Sequence, residues 1–532
     1  MPTTRRRPGA TLALTLLTAV TVASCGQVGG TPTAAGGGTS AAPSGPSGPV
    51  STPGPATGAS PSGSSSAATT SGAPSTAEPD AGGTVGADGI GDPYYPTAGN
   101  GGYQVDHYDV VLTYDPAGND LTATTTITGS VTADQGLTRF NLDLQPNLTV
   151  SAVTVDGTAG TFAQEDAELV ITPATPLTAG APLTVAVTYA GRPELVGGGT
   201  AGLGDGGWFR TDSGGAFAAG EPTGASTWYP VNEHPRDTAT FAVTATVPDG
   251  WQVISNGVKA ADPPAAPAGW TTTRWELDTP VASYLSTIYI DRFTVVEGTL
   301  SDGRPIVSAV GPGSSASATD LARQTGPVVD VLSDLFGPYP MPAAGGIFIR
   351  STTGFALETA TRPVYTTGVD DLSVVVHELA HQWFGDDVTV ESWSDICLNE
   401  CFASYAEWLY AEKVDGRNLD ARWKQTIAGS GQNPAYWSSP LVDMGPGNEF
   451  TRVYDRGPVA LHALRNEIGD DTFFRLLKEW PATYGGRNAS FDDFEAFVNQ
   501  LAGRDLTAFM DAWFRSETRP PGQYLYPGDL GN

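Results

Sequence analysis

Two histidines separated by three residues form the segment of this sequence with the clearest chemical meaning. His377 and His381 enclose Glu378 in an H-E-x-x-H pattern, and the apolar residues around it predict a helix. Side chains four positions apart lie on one face of a helix, so both imidazoles can reach one metal ion. Glu378 then lies beside the open coordination position, where a general base acts. Taken by itself, the pattern would also fit a pair of solvated or capping histidines.

A third metal ligand is found on the next predicted helix. Glu400 follows His381 after 18 intervening residues. Two histidines and one glutamate form a three-ligand set typical of catalytic zinc, which keeps a fourth position for water. The chain has five histidines, and two of them fall in this window. The sequence therefore predicts one Zn2+ per chain, bound by His377, His381 and Glu400.

These segments together resemble the aminopeptidase N family of gluzincin zinc metallopeptidases. The resemblance covers about residues 100–520 and includes the zinc motif with its distant glutamate. F-A-L-E-T at 355–359 stands where the family has a G-A-M-E-N-like exopeptidase motif, and Y-D-R-G at 454–457 matches Y-x-[KR]-G. A weaker match is G-E-P at 220–222, near the family's amine-binding segment. The resemblance implies a zinc aminopeptidase that hydrolyses N-terminal residues from peptides.

The same resemblance assigns roles to further residues. Tyr454 is the catalytic tyrosine, whose phenol donates a hydrogen bond to the developing oxyanion. Glu358 is the candidate anchor for the substrate α-ammonium group, and Glu221 is a second anchor. Spacing rather than the resemblance indicates Glu407, which lies seven residues after Glu400 on the same helical face and can accept a hydrogen bond from a ligand histidine; a charge on the helix surface is the alternative.

The sequence departs from the family pattern at several positions. Phe355 and Thr359 replace the usual Gly and Asn of the exopeptidase motif, which leaves the preferred N-terminal side chain open. Cys401 stands where the family usually has Gly, and Cys397 lies four residues earlier on the same helical face. A disulfide is conceivable in an oxidising compartment, but the helical geometry is awkward for it. The sequence therefore favours two packed thiols.

Two kinds of hydrophobic pattern organise the elements that must position these residues. Apolar residues alternate in short strands from about residue 102 to 310, and a helical period follows from about 316. Strands followed by helices predict a multidomain protein. In the terms of the resemblance, an all-β, saddle-like N-terminal domain (93–300) precedes a mainly α, thermolysin-like zinc domain (301–532). We expect a short two-domain member without the long C-terminal helical domain, and hence an open cleft.

The N-terminus has the pattern of a bacterial lipoprotein precursor. Three arginines at 5–7 precede an apolar run at 10–23 that is too short to span a bilayer. Residues 1–24 are predicted to be a signal peptide, with Cys25 as the lipid-modified first mature residue; plain cleavage is the alternative. Residues 25–92 are rich in Gly, Ser, Pro and Ala and predict a disordered tether. The expected location is the outer face of the cell membrane, with partial release into the medium.

Charge and composition narrow the range of functions. The formal net charge of -30 argues against nucleic acid as a partner, because phosphate binding needs a basic face. The expected partners are peptides with a free N-terminus and, through Cys25, the membrane. A zinc endopeptidase, which would not need Glu358 and Glu221, is one alternative. A non-catalytic cell-surface binding module is the other.

Overall fold

A computed structural model describes residues 83–196, 205–368 and 371–531 of the chain. The signal peptide, Cys25 and the tether up to residue 82 lie outside the described residues, so those assignments stay predictions. None of the helices within the described ranges combines the length and the apolar composition needed to cross a bilayer.

The N-terminal part is built of β-strands, as the alternating pattern predicts. In chain order they are β1 (Thr84–Val85), β2 (Tyr103–Asp115), β3 (Asp120–Val131), β4 (Leu137–Asp143), β5 (Leu148–Val155), β6 (Thr158–Ala159), β7 (Thr161–Glu165), β8 (Glu168–Thr172), β9 (Pro182–Gly191), β10 (Leu195–Val196), β11 (Gly206–Arg210), β12 (Ala216–Ala219), β13 (Ala239–Pro248), β14 (Gln252–Ser255), β15 (Val258–Lys259), β16 (Trp270–Val281) and β17 (Ile288–Asp291). They form sheets in the orders β15-β16-β13-β2-β3-β9-β5-β6, β10-β11-β12-β17-β14 and β1-β4-β8-β7.

The long strand β2 shows why this part folds as sheets. Its Tyr108, Val110, Leu112 and Tyr114 are buried at every second position, so one face of the strand packs into the core. β2 pairs antiparallel with β3 and parallel with β13. The core of this part therefore lies along the centre of the largest sheet.

A further mixed sheet includes strands on both sides of the predicted domain boundary at residue 300. Its strands are β18 (Thr294–Thr299), β19 (Pro305–Val310), β20 (Ile347–Phe348), β21 (Ala356–Leu357) and β22 (Val364–Tyr365). They pair in the order β18-β19-β20-β22-β21. β18 pairs with β19 over its whole length, so this sheet contains residues from both sides of that predicted boundary, which stays a prediction. The strands β20 to β22 have two residues each, too few for alternation to be visible in the sequence.

Helices dominate the rest of the chain, as the periodicity predicts. They are α1 (Ala318–Ala322), α2 (Thr325–Phe336), α3 (Leu372–Ala380), α4 (Cys397–Asp415), α5 (Leu419–Ala428), α6 (Gly457–Ile468), α7 (Asp470–Tyr484), α8 (Phe491–Ala502), α9 (Thr507–Met510) and α10 (Gly522–Leu525), with two short paired strands, β23 (Val388–Val390) and β24 (Arg487–Ala489). Helix α5 lies within this region, and its buried residues Leu419, Trp423 and Ile427 follow one another at four-residue intervals.

The folded chain also starts before the predicted end of the tether. Strand β1 pairs with β4, and Asp92 is 1% exposed. The Asp92 carboxylate accepts hydrogen bonds from the backbone N–H groups of Tyr94 (2.7 Å), Tyr95 (3.1 Å) and Trp393 (3.1 Å). Composition alone does not separate residues 83–92 from the tether, because four of these ten residues are Gly, a residue that is also frequent in the preceding segment. Residues 83–531 belong to one compact unit.

Candidate active site

Helix α3 presents the two histidines of the H-E-x-x-H motif to the interior. Asp371 caps the helix by accepting hydrogen bonds from the backbone N–H groups of Ser373 (2.8 Å) and Val374 (3.2 Å), which satisfies donors left open at a helix start. His377 lies in the last turn, and His381 is the capping residue at the C-terminal end. Both side chains are buried, so water does not satisfy their ring nitrogens.

Glu400 on α4 completes a group that fits a metal ion. Its Oε2 lies 3.3 Å from His377 Nε2 and 3.5 Å from His381 Nε2, and ligand atoms of all three residues lie within 4.8 Å of one another. In the described part of the chain, His381 Nε2 and Glu400 Oε1 are buried without a hydrogen-bond partner. Such open nitrogen and oxygen atoms match the donor set of catalytic zinc.

Hydrogen bonds on the far side of each imidazole orient the rings. His377 Nδ1 lies 3.1 Å from Glu407 Oε1, and His381 Nδ1 lies 3.0 Å from the carbonyl oxygen of Phe384. Both acceptors require a proton on Nδ1, which leaves each Nε2 lone pair free for a metal. Burial would raise the pKa of Glu400, but the neighbouring His381 and His377 outweigh it and lower the pKa below its usual range. Glu400 is thus an ionised ligand.

The predicted base and the predicted tyrosine flank this group. Glu378 is fully buried, and one of its carboxylate oxygens lies within 4.8 Å of ligand atoms from His381 and Glu358. The half-buried ring of Tyr454 has its centroid 6.2 Å from that of His377. Its position depends on the glycine of Y-D-R-G, because a Cβ on Gly457 would lie 2.5 Å from the sulfur of Cys401. Helix α6 therefore starts in direct contact with α4.

Two further carboxylates converge on the same place from different parts of the chain. Glu358 directly follows β21 and accepts a hydrogen bond from the hydroxyl of Tyr284 (3.3 Å). Glu221 comes from the loop after β12; neither of its buried oxygens has a hydrogen-bond partner among the described residues. Carboxylate atoms of Glu221, Glu358 and Glu400 lie within 4.8 Å of one another. Burial and the charges of Glu358 and Glu400 raise the pKa of Glu221. Three ionised carboxylates buried this close together need more than one cation to balance their charge.

Gln382, to which the sequence analysis assigned no role, fixes the distance between the histidine helix and the Glu358 segment. Its side-chain amide donates to the carbonyl of Glu358 (3.0 Å), and its oxygen accepts from the backbone N–H of Thr361 (2.7 Å). Its place immediately after the H-E-x-x-H motif was the only available signal.

Arg362 was also missed. It is buried and donates to the carbonyls of Val307, Ser255 and Gly257, which ties the turn after Glu358 to both parts of the chain. Burial lowers the pKa of Arg362 to about 10. No local motif marks such a residue, because its partners are distant carbonyl groups.

The two departures in the exopeptidase motif have structural partners. The ring of Phe355 packs against Phe209, with centroids 5.2 Å apart. The hydroxyl of Thr359 donates to the carbonyl of Arg362 (2.7 Å). Both residues therefore support the segment that carries Glu358.

The expectation of two free thiols in α4 is wrong in this structure, which has a disulfide between Cys397 and Cys401. Their Cα atoms are 4.8 Å apart, whereas four residues of regular helix span about 6 Å. The first turn is tighter because the Ile396 carbonyl accepts from the N–H groups of both Asn399 and Glu400 (3.0 Å each). The two cysteines are thus closer together than in a regular helix, and their Cα distance lies within the usual disulfide range.

Comparisons with known proteins agree with this geometry. Residues 104–285 match the family profile described as "Peptidase M1 N-terminal domain", and residues 341–513 match "Peptidase family M1 domain". Glutamyl aminopeptidase of Homo sapiens is 28% identical over 325 residues, which is 56% of this chain and 34% of that protein. Aminopeptidase M1-B of Oryza sativa subsp. japonica is 26% identical over 326 residues, 56% of this chain and 37% of that protein. The matched segment thus spans about a third of these curated relatives.

Solved structures match over nearly their full length. The M1 zinc metallopeptidase from Deinococcus radiodurans is 31% identical, with a TM-score of 0.74 over 81% of this chain and 98% of that chain. A mutant of a two-domain M1 zinc metallopeptidase, bound to L-arginine, is 31% identical, with a TM-score of 0.70 over 78% and 94% of the two chains. The fold class predicted from the sequence, a β-rich part followed by a mainly helical zinc-binding part, is confirmed.

Proposed function

This chain belongs to the peptidase M1 family of zinc metallopeptidases, and on that premise we propose that it is an aminopeptidase that releases N-terminal residues from peptides. The observation that carries the proposal is the position of Glu358 and Glu221 beside the three zinc ligands. An endopeptidase has no use for two more buried carboxylates there. A free α-ammonium group supplies the cation that they need. Similar folds also bind such ligands, since mutant M1 zinc metallopeptidases have been solved with L-tryptophan or a Tyr-Ser-Ala substrate bound.

The two amine anchors, Glu358 and Glu221, determine which peptide bond of the substrate is hydrolysed. An α-amino group has a pKa of about 7.7–8, so much of it is cationic at neutral pH. Glu358 and Glu221 hold this cation, and Tyr284 keeps the Glu358 carboxylate in place through its hydroxyl. Because the anchors lie within a few ångströms of Glu400, the first peptide carbonyl reaches the reaction centre and later ones do not.

The chemical step is divided among the remaining residues. His377, His381 and Glu400 would hold the zinc ion, which when bound supplies a Lewis acid that makes water acidic enough to attack at neutral pH. Glu378 accepts the proton of the attacking water and returns it to the departing amine. Tyr454 donates a hydrogen bond to the carbonyl oxygen as negative charge develops on it. Glu407 keeps His377 in the orientation that directs Nε2 inward.

The proposed location is the outer face of a bacterial membrane, with the chain anchored through a lipid on Cys25. The support comes from the sequence alone, in which an apolar run ends in small residues followed by this cysteine. Metabolic labelling with a radioactive fatty acid tests it. We expect label and membrane fractionation in the wild type and loss of both in Cys25→Ser. An unlabelled wild-type protein in the medium would rule out the anchor.

The activity is tested with the detergent-solubilised full chain and a panel of aminoacyl-amidomethylcoumarins. We expect hydrolysis of the free-amine compounds only, with loss of activity after chelation and recovery after zinc is restored. Glu378→Gln should lose at least about 1,000-fold in kcat while retaining bound zinc. Equal cleavage of N-acetylated compounds would instead identify an endopeptidase, because acetylation removes the cation that the two anchors bind.

A further inference from the structure

The carboxylate of Glu221 depends on the backbone around it for its orientation. Glu221 is 6% exposed, and within the described ranges neither of its oxygens has a hydrogen-bond partner. Polar contacts of the side chain therefore do not fix where this charge lies. Its position depends instead on the loop that carries it, residues 220–226, which we call the anchor loop.

A second glutamate, which has had no role so far, holds one end of the anchor loop. Glu233 is 5% exposed, and its Oε1 accepts hydrogen bonds from the backbone N–H groups of Gly224 (2.6 Å), Ala225 (2.5 Å) and Ser226 (3.3 Å). These donors lie at the start of a short 3-10 turn (Ala225–Thr227), where backbone N–H groups lack partners within the turn. A single carboxyl oxygen thus restrains three consecutive residues of the loop.

Glu233 is itself fixed to the end of strand β4. Its backbone N–H donates to Asp143 Oδ2 (2.8 Å), and the same oxygen accepts from the side-chain amide of Asn100 (3.2 Å). Two residues before Glu233, Val231 exchanges both backbone hydrogen bonds with Asp143 (2.8 and 3.0 Å). The oxygen that holds the anchor loop is therefore tied to the largest part of the β structure and does not move with the loop.

Close backbone packing connects the end that Glu233 holds with the end that carries Glu221. A Cβ on Gly224 would lie 3.1 Å from the Cα of Gly220, and a Cβ on Gly220 would lie 2.6 Å from the carbonyl oxygen of Thr223. The same two glycines lie against the backbone of Gly207 in β11. Because the loop is closed on itself without free space, a shift of residues 224–226 also displaces residues 220 and 221.

We propose that Glu233 is a positioning residue that acts through Glu221, because it holds the anchor loop where the Glu221 carboxylate lies beside those of Glu358 and Glu400. The inference rests on the proposed aminopeptidase function, in which Glu221 binds the α-ammonium group of the substrate. The zinc ligands lie on α3 and α4, at its C-terminal cap and within it respectively, and not on the anchor loop. Loss of Glu233 should therefore weaken recognition of the amine and leave zinc bound.

The test measures the amine preference, which is the ratio of kcat/KM for leucyl-amidomethylcoumarin to kcat/KM for 4-methylpentanoyl-amidomethylcoumarin, the same compound without the amine. In the detergent-solubilised full chain, Glu233→Ala should lower this ratio at least about tenfold, with zinc content unchanged. Glu233→Gln keeps an acceptor oxygen at the same reach and should stay within about threefold of the wild-type ratio. If Glu233→Ala does not fold, Glu233→Asp replaces it; its side chain is one methylene shorter, and the ratio should fall at least about threefold.

A double variant shows whether Glu233 acts through Glu221. Glu221→Gln should itself lower the amine preference, and the addition of Glu233→Ala should lower the ratio by no more than about twofold further. Asp291→Ala is the matched control. Asp291 is an equally buried carboxylate (1% exposed) that accepts hydrogen bonds from the hydroxyls of Thr211 and Ser213 in the loop before β12, whereas the anchor loop follows β12. This control should keep the wild-type ratio.

The outcomes separate this inference from the function on which it rests. A wild-type ratio in Glu233→Ala, an equal fall in Glu233→Gln or Asp291→Ala, or losses that multiply in the double variant would overturn the role of Glu233. An unchanged ratio in Glu221→Gln would also overturn it and leave an aminopeptidase anchored by Glu358. A wild type that does not hydrolyse the leucyl compound, or that hydrolyses both compounds equally, would remove the proposed function and this inference together.

Discussion

Removal of the charge from Glu358 tests how the chain selects a free N-terminus. Glu358 is fully buried, and its carboxylate lies within 4.8 Å of those of Glu221 and Glu400. Loss of one partner from a buried, hydrogen-bonded charge pair costs about 3 kcal/mol. That cost corresponds to about 150-fold in kcat/KM. Glu358→Gln keeps the shape of the side chain and can still accept the hydrogen bond from Tyr284, so the loss reports the charge.

The assay uses two substrates that share every atom except the amine. Leucyl-amidomethylcoumarin carries the ammonium group, whereas 4-methylpentanoyl-amidomethylcoumarin has the same acyl chain without it. In the wild type, kcat/KM should be about 100-fold or more higher for the leucyl compound than for the compound without the amine. In Glu358→Gln this ratio should be much smaller. Glu391→Gln, which changes an exposed glutamate, is the matched control and should keep the ratio.

Two results would refute this reasoning. A loss below about fivefold with the leucyl substrate would mean that Glu358 does not pair with the amine. An equal loss with both substrates would mean that the variant disturbs the zinc ligands, a case that bound-metal analysis identifies directly. In either case Glu221 would become the principal anchor to examine.

Three further predictions concern the support of the site. Glu407→Gln should weaken zinc binding about 10- to 100-fold, measured by chelator competition; unchanged affinity would contradict its role in orienting the ligand histidine. Gly457→Ala should lower the free energy of unfolding by about 1–3 kcal/mol in denaturant titrations, because the new methyl group meets Cys401; wild-type stability would show that α6 shifts freely. Asp92→Asn should lower the free energy of unfolding by about 2–3 kcal/mol at pH 7. Burial opposes ionisation of Asp92, but its hydrogen bonds with His234 and the backbone outweigh this and lower its pKa. The stabilisation by ionised Asp92 is therefore complete above about pH 4 and is lost as the pH falls through the folded-state pKa. The difference in the free energy of unfolding between the wild type and Asp92→Asn should accordingly become smaller in acid. A difference that does not change with pH would refute the stabilising role of the Asp92 charge.

The short-range parts of the site were predictable from the sequence. Positions four apart on a helix share a face whatever the rest of the chain does, so the pairing of His377 with His381 follows from spacing alone. The same rule placed Glu407 and Glu400 on one face of α4, and both contact His377 in the structure. It also placed Cys397 and Cys401 on one face, but the bond between them was not predicted, because the rule assumes a regular helix and the first turn of α4 is tighter.

The meeting of the acidic groups was decided by the tertiary structure alone. Glu221 and Glu358 follow strands of different sheets, and only the packing of the β-rich part against the helical part brings them to Glu400. No motif indicates that both carboxylate oxygens of Glu221 are buried without a hydrogen-bond partner among the described residues. Whether a polar atom is buried and unpaired depends on every segment around it. That property becomes visible only once the whole chain is folded.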